Sequence, residues 1–164
     1  MFPRKKYLEP IISAFGTPLI KVITGMRRVG KSTLMLQVIE SLKLSGIAES
    51  HIFFIDREDF NFEFVRNANI LHAEIERFFQ EKKGKKYLFI DEVQDIQEWE
   101  KTVRHYGKLP DYEVCITGSN SHLLSSELGT YLSGRFIEFI VYPLSYSEFM
   151  EFKPSGSFSE YMEF

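Results

Sequence analysis

Apolar runs and amphipathic stretches alternate along most of this chain. Runs rich in β-branched and aromatic residues predict strands, whereas the segments between them repeat apolar residues every three or four positions, as helices do. The predicted strands span residues 19–24, 51–56, 87–90, 113–117 and 136–142. This alternation predicts a parallel sheet that is covered by helices on both faces and joined by right-handed crossovers.

Helical periodicity places one helix before the first strand and others between the strands. The first predicted helix, residues 5–14, presents Leu8, Ile11 and Ile12 on one side. The following helices are predicted at about 31–44, 69–82, 97–107 and 120–132. Each of them needs a sheet or another helix against which to bury its apolar stripe.

Two capping boxes lie near the end of the sequence. Ser145 with Glu148 is expected to open one helix, and Ser157 with Glu160 another. The second helix would have less than about two turns before Phe164, and isolated helices that short are marginal. We therefore interpret the C-terminus as a cut inside a longer protein, with a terminal segment that simply frays as the alternative.

The most specific motif is a complete G-x-x-x-x-G-K-[ST] phosphate loop at residues 25–32, placed between a predicted strand and a predicted helix. Glycines let the backbone N–H groups point inward and cradle phosphates, and the helix adds its positive N-terminal end. Lys31 can then reach the β/γ-phosphates, and the Ser32 hydroxyl can ligate Mg²⁺. The alternative is a glycine-rich turn with a solvated lysine. The predicted ligands of ATP and Mg²⁺ in this segment are Gly25, Met26, Arg27, Arg28, Val29, Gly30, Lys31, Ser32 and Thr33.

Two adjacent carboxylates follow the third predicted strand, at the edge where open α/β sheets bind ligands. Asp91 is predicted to hold Mg²⁺, together with Ser32, and Glu92 to polarise the attacking water. An apolar strand that ends in acids is common by itself, but it is informative behind a phosphate loop. The alternative for Glu92 is a surface acid that caps the next helix.

Further polar residues are candidates for supporting roles. The fourth strand ends near Ser119 and Asn120, either of which could bond the water or a phosphate if this strand lies between the first and third; the alternative is a helix cap. Arg135 is a candidate catalytic cation that acts in its own chain or from a neighbouring subunit, with a salt bridge as the alternative. Of Arg27 and Arg28, one is expected to face the phosphates or a partner and the other solvent.

The composition is that of an ordinary globular domain, with 164 residues, 44% of them hydrophobic and 26% charged. We predict a core domain over residues 1–150 and the start of a following helical region over 151–164. The net charge of −3 argues against nucleic-acid binding by charge alone but leaves a local patch open. The lysine-rich residues 82–86 indicate a solvated turn, with contact to nucleic acid or an acidic partner as the alternative.

The single cysteine, Cys115, lies inside an apolar run and is predicted to be a small buried residue. One cysteine forms no disulfide within the chain, which fits a reducing cytosol, so we expect a cytoplasmic protein. No apolar stretch approaches about 18 residues, so no membrane span is predicted. His51, His72, His105 and His122 show no metal-ligand spacing, and zinc is not expected.

Together these motifs resemble a prokaryotic family of AAA-type P-loop ATPases. The family's motifs are similar to the segments at residues 23–32, 89–95, 116–120, 132–135 and 142–149, which cover nearly the whole chain in order. The resemblance implies a P-loop NTPase fold, a three-layer α/β/α sandwich with a five-stranded parallel sheet of order 5-1-4-3-2. It also implies a catalytic glutamate on the third strand and a sensor at the end of the fourth.

The same resemblance implies a partner for this chain, since full-length members continue into a helical region and a C-terminal domain of poorly defined, nuclease-like character. In the implied order the second strand lies at the sheet edge, so Asp56 and Glu58 are not expected to contact the metal directly. ATP binding transfers well from such a family, whereas the biological role does not.

Three functions remain open at this point. The leading hypothesis is Mg-ATP binding with hydrolysis that drives a conformational or assembly change, with self-association through Arg135. The alternative is a nucleotide-gated or DNA-associated binding module with little turnover. A small-molecule kinase would need an acceptor pocket and lid arginines that the sequence does not identify, and GTP is disfavoured because no Asn-Lys-x-Asp motif is present.

Overall fold

A parallel five-stranded sheet forms the centre of the molecule in the computed structural model, which describes residues 3–119, 127–132 and 134–163. The strands lie in the order β2-β3-β4-β1-β5, and every neighbouring pair is parallel. The expected strand order and fold class are therefore confirmed. The strands are β1 (Ile20–Gly25), β2 (Ile52–Asp56), β3 (Lys86–Asp91), β4 (Tyr112–Ser119) and β5 (Phe136–Val141).

The helices follow the predicted positions closely. The third helix ends at Phe79, whereas the sequence predicted it to continue to about residue 82. It ends there because Gln80 leaves the helical conformation and Glu81 has a φ of 64°. Part of the helical stretch predicted at 120–132 falls on residues 120–126, which lie outside the described ranges. The described helices are α1 (Lys5–Ser13), α2 (Lys31–Leu44), α3 (Ala68–Phe79), α4 (Trp99–Tyr106), α5 (Glu127–Tyr131), α6 (Tyr146–Phe152) and α7 (Phe158–Glu163).

Alternate residues of the central strands enter two hydrophobic clusters, one on each face of the sheet. On one face, Ile90 and Ile116 pack with α3 and α4. On the other, Phe89 and Cys115 pack with α1 and α2, so Cys115 is the small buried residue that was predicted. Burial on both faces explains why these strands read as continuous apolar runs.

Helix α1 uses a different apolar side from the one predicted. Ile11 is fully buried as expected, but Tyr7 takes the second inward position, whereas Leu8 and Ile12 are half-buried. The Tyr7 hydroxyl accepts a hydrogen bond from the Tyr142 N–H at 3.3 Å. The aromatic ring therefore joins α1 to the end of β5.

Both predicted capping boxes are present at the C-terminal helices. The Ser145 hydroxyl accepts the Glu148 N–H at 3.3 Å and opens α6, and Ser157 and Glu160 repeat the arrangement at α7. Helix α7 packs on α6 through aromatic contacts such as Tyr146 with Phe158, whose ring centroids are 5.4 Å apart. Helix α6 spans residue 150, where the sequence predicts the end of the core domain. That boundary stays a prediction. In the parts of the chain that the structure describes, every helix is too short or too polar to cross a membrane.

Candidate functional site

The phosphate loop connects β1 to α2 and is shaped by its glycines. Gly25 has a φ of 149°, and a Cβ atom there would lie 2.3 Å from the Val141 carbonyl oxygen, so a larger residue does not fit. Gly30 has a φ of 90° and precedes the first turn of α2, where the left-handed conformation favours glycine. The loop therefore curls over the N-terminus of a helix of 14 residues, whose first N–H groups lack helical partners.

Lys31 folds back across this loop and is 4% exposed. Its Nζ donates to the Met26 carbonyl at 3.2 Å and lies 3.4 Å from Glu92 Oε1. A buried ammonium group needs such partners because its desolvation is costly. The pair joins the loop to the end of β3, so the structure brings together two residues that the sequence predicted for one site.

Asp91, the last residue of β3, is almost fully buried. Burial raises the pKa of its carboxyl, and this effect outweighs the hydrogen bonds from Ser32 and Thr117, which favour the ionised form; the nearby Asp56 and Glu92 carboxylates raise it further. The two predicted metal ligands, Ser32 and Asp91, are therefore neighbours. A hydroxyl and a carboxylate are hard oxygen donors, which fit Mg²⁺.

Glu92 follows Asp91 with a φ of 47°, in the left-handed region. This sharp turn sends the two neighbouring carboxylates to different partners. Glu92 Oε1 faces Lys31, and its Oε2 accepts a hydrogen bond from Gln94 Nε2 at 2.6 Å. A 3-10 turn at Val93–Asp95 follows, but the Glu92 side chain does not cap it, so the alternative of a capping surface acid is wrong.

The tip of β4 lies beside the phosphate loop, as predicted. Ser119 pairs in register with Gly25, because β4 lies between β1 and β3. Asn120, the candidate sensor, lies outside the residues that the structure describes. Asp56 pairs in register with Asp91 at the edge of the sheet, and its Oδ1 accepts the Glu58 N–H at 2.8 Å.

Arg135 lies at the end of the sheet where the strands begin, opposite the end that carries the phosphate loop. It precedes β5, and its carbonyl accepts the Ile20 N–H at 3.0 Å, where β1 begins. The phosphate loop follows the far end of β1, roughly 16 Å along the strand. Action on the phosphates of its own chain does not fit this position. The exposed side chain leaves action from a neighbouring subunit as the prediction.

The remaining loop residues differ in their surroundings. Met26, Arg27 and Thr33 are exposed, and Val29 is half-buried. Arg28 has a φ of 67° and lines a cavity of about 250 Å³ beside the loop. The other residues that line this cavity are Arg4, Val29, Gly30, Thr33, Leu34, Gln37, Leu144 and Phe152.

Sequence reasoning missed Arg4, which is almost fully buried. Its guanidinium donates to the Val29 carbonyl at 3.1 Å and to both carboxylate oxygens of Glu148, at 2.9 and 3.2 Å. Partial burial raises the pKa of Glu148, but hydrogen bonds from Arg4 and Ser145 outweigh it and lower the pKa to about 2. Arg4 therefore ties the N-terminal segment and α6 to the phosphate loop. A single arginine in a basic N-terminal stretch carried no signal for this role.

Thr117 on β4 is the second residue that sequence reasoning missed. Its hydroxyl contacts both acidic residues of the site, accepting the Glu92 N–H at 2.9 Å and donating to Asp91. The sequence shows a threonine at the end of a strand, which predicts a polar tip but not these partners 25 and 26 residues away.

Comparisons with known proteins bear on the family and the fold of this chain. A family model described as an AAA domain matches residues 17–150. An uncharacterised protein from Haemophilus influenzae is 38% identical over 163 residues, which cover 99% of this chain and 41% of that protein. The chain therefore spans less than half the length of this curated relative.

Solved structures share the fold at low sequence identity. A DNA polymerase III gamma subunit-related protein from Thermotoga maritima superposes with a TM-score of 0.66 and 14% identity, over 96% of this chain and 52% of that one. Hsp104, reconstructed in a closed state with ATPγS and FITC casein, gives a TM-score of 0.62 and 17% identity, over 91% of this chain and 28% of that one.

Proposed function

The chain belongs to the AAA domain family, and from this premise we propose that it binds Mg-ATP and hydrolyses it to ADP and phosphate. The observation that carries the proposal is the convergence of Lys31, Ser32, Asp91 and Glu92 at one edge of the sheet. Hydrolysis needs a phosphate cradle, a metal anchor and a group that orients water, and these residues supply all three.

The phosphates of ATP would lie in the loop, against the N-terminus of α2. Lys31 would exchange part of its contact with the Met26 carbonyl and Glu92 for phosphate oxygens. The cavity of about 250 Å³ beside the loop would take the base, since Val29, Leu34 and Leu144 offer it apolar surface.

Asp91 and Ser32 would hold Mg²⁺, which supplies charge neutralisation at the phosphates when bound. Glu92 would act as the base that orients and polarises the attacking water. Its αL conformation directs its carboxylate towards Lys31, beside the phosphate cradle, while Asp91 stays with Ser32.

Arg135 lies where the strands begin, far from the phosphate loop of its own chain. We therefore propose that it acts on the nucleotide of a second copy of the chain. A cation supplied by a neighbouring subunit is a common way to stabilise the charge of phosphoryl transfer. Turnover would then depend on self-association and would couple hydrolysis to assembly.

The whole protein's role is a separate matter, because the chain matches less than half of its curated relative. We propose that a C-terminal region uses the conformational change, in the cytoplasm as the single cysteine Cys115 suggests. Nucleic acid is an open candidate for its target.

The test is phosphate release with Mg-ATP across a range of protein concentrations. Glu92→Gln should lower kcat by about 10²- to 10⁴-fold while ATP binding persists, because the neutral amide polarises water poorly. Glu98→Gln is the matched control, since Glu98 lies in the same connection with a similar φ of 56° and pairs with surface Lys101.

Turnover per subunit should rise with concentration, and Arg135→Ala should abolish that rise.

Two results would contradict the proposal. Tight ATP binding without turnover at any concentration favours the nucleotide-gated binding module. Equal turnover in Glu92→Gln and Glu98→Gln would show that Glu92 is not the base.

A further inference from the structure

One hydroxyl links the two acidic residues of the site. Thr117 lies inside β4, fully buried, between β3 and β1. Its Oγ1 accepts the backbone N–H of Glu92 at 2.9 Å and donates its own hydrogen to Asp91 Oδ1. A hydroxyl has one donor and can accept as well, and Thr117 uses both capacities on Asp91 and Glu92, which are adjacent in the chain where β3 ends.

The backbone at Glu92 needs such a contact. A glutamate with a φ of 47° is in a strained conformation that persists only when its surroundings hold it. The hydrogen bond from the Glu92 N–H to Thr117 is one of those restraints, and it acts at the residue whose conformation separates the two carboxylates. The bond to Asp91 fixes the carboxylate on the other side of the same peptide.

We propose that Thr117 is a positioning residue, whose hydroxyl sets the geometry of the metal-holding Asp91 and the water-orienting Glu92 at the same time. This inference rests on the proposed hydrolysis. Thr117 does not itself touch the nucleotide in this account. Its effect on turnover would come through Glu92, because a displacement of about 1 Å in a reacting group can cost about 100-fold in rate.

The test compares Thr117→Ser with Thr117→Cys. Both variants lose the methyl group, but serine keeps a good hydrogen-bonding hydroxyl, whereas cysteine carries a larger thiol that is a weak donor and a weak acceptor. We expect Thr117→Ser to retain at least about a third of the wild-type kcat and Thr117→Cys to lose about 10- to 100-fold. The Kd for ATP should stay within about threefold of the wild-type value in both.

A matched control separates positioning from loss of packing. Thr102 on α4 is also a buried threonine, and its hydroxyl donates to the Ala68 carbonyl at 3.0 Å, away from the site. Thr102→Val should lower thermal stability without changing kcat per folded molecule. Thr117→Cys should change kcat even at temperatures where it is fully folded.

A second measurement does not depend on turnover. Hydrogen exchange of the Glu92 amide, followed by NMR, should be slow in the wild type and in Thr117→Ser and at least about tenfold faster in Thr117→Cys. Equal exchange and equal kcat in the serine and cysteine variants would overturn the inference. Wild-type protein that neither binds nor hydrolyses ATP would refute the proposed function instead, while the amide exchange would still decide whether Thr117 holds Glu92.

Discussion

Two lysine–glutamate pairs lie at opposite ends of the parallel strands, one where the strands begin and one where they end. They differ in burial and in the number of their hydrogen-bonding and ionic partners. Lys21 and Glu113, at the edge where the strands begin, are 0% and 2% exposed and in direct contact. Lys21 also donates to the Thr17 carbonyl. Glu113 Oε1 accepts a hydrogen bond from the Gly16 N–H at 3.0 Å and forms an ion pair with Lys85 Nζ at 3.0 Å. Both buried charges of this pair therefore have additional hydrogen-bonding or ionic partners, and we call it the closed pair.

The pair at the other end of the strands, Lys31 and Glu92, is less tightly paired and more exposed, and we call this end the open edge. Lys31 and Glu92 are 3.4 Å apart, and the Glu92 side chain is 14% exposed. Within the described ranges, the buried Oε1 of neighbouring Gln94 has no hydrogen-bond partner. Arg28 and Glu92 both adopt left-handed conformations there. Among the described residues, Arg28, Glu92 and the unpaired Gln94 oxygen lie where a ligand is expected, whereas Glu81 and Glu98 adopt left-handed conformations elsewhere. The buried Lys21–Glu113 pair lies at the opposite end of the strands, away from this site.

The largest effect should come from breaking the closed pair. Glu113→Ala should lower the free energy of unfolding by about 3–5 kcal/mol, because Lys21 is left buried without its carboxylate. Urea denaturation measures the change. Lys85→Ala, which removes the more exposed partner of Glu113, should cost under about 1 kcal/mol. Equal losses in the two variants would show that the Lys21–Glu113 pair has no special weight.

An intermediate effect is expected at Arg4, which borders the site. Arg4→Met should destabilise the fold by about 1–3 kcal/mol at pH 7, since charged hydrogen bonds to Glu148 are lost. The folded pKa of Glu148, about 2, lies below its unfolded value of about 4.3, so this stabilisation is present above pH 5 and is lost as the pH falls towards 2. The difference between wild type and variant should therefore shrink from pH 5 to pH 3, and a constant difference would argue against the ion pair.

The smallest effect should have the opposite sign. Asp91→Asn should raise the free energy of unfolding at pH 7 by about 0.5–2 kcal/mol, while Mg²⁺-dependent turnover disappears. Burial raises the folded pKa of Asp91 above its unfolded value, so ionised Asp91 destabilises the fold above that pKa. The gain should shrink as the pH falls towards about 4, where the carboxyl is protonated. A less stable Asn variant at pH 7 would show that the open edge carries no strain from this charge.

Local patterns predicted the helices, the strands and both helix caps, because the physical causes are local. The α2 limits coincide with the predicted ones, since a glycine and a lysine start this helix, its buried apolar stripe ends at Leu42, and Gly46 follows with a positive φ. The strand order came with the family resemblance. Lys31 and Ser32 stand at the start of α2, and Asp91 and Glu92 stand at the end of β3, because their motifs fix these positions; their roles stay predictions.

The partners that are distant in sequence could not be predicted. Arg4 meets Glu148 across 144 positions, and Thr117 meets Glu92 across 25, so their neighbours follow from the packing and not from spacing. Arg135 is different, because its place was available from the sequence. A residue that precedes a strand parallel to β1 must lie at the edge opposite the phosphate loop.

The most direct test of the account is a calorimetric titration of Mg-ATP into wild-type protein, Lys31→Met and Glu92→Gln. We expect saturable binding by wild type and by Glu92→Gln, and binding by Lys31→Met that is weaker by about 100-fold, or about 2.7 kcal/mol. Binding of equal strength to wild type and Lys31→Met, or no binding to the wild type, would contradict the claim that the open edge of the sheet is a nucleotide site.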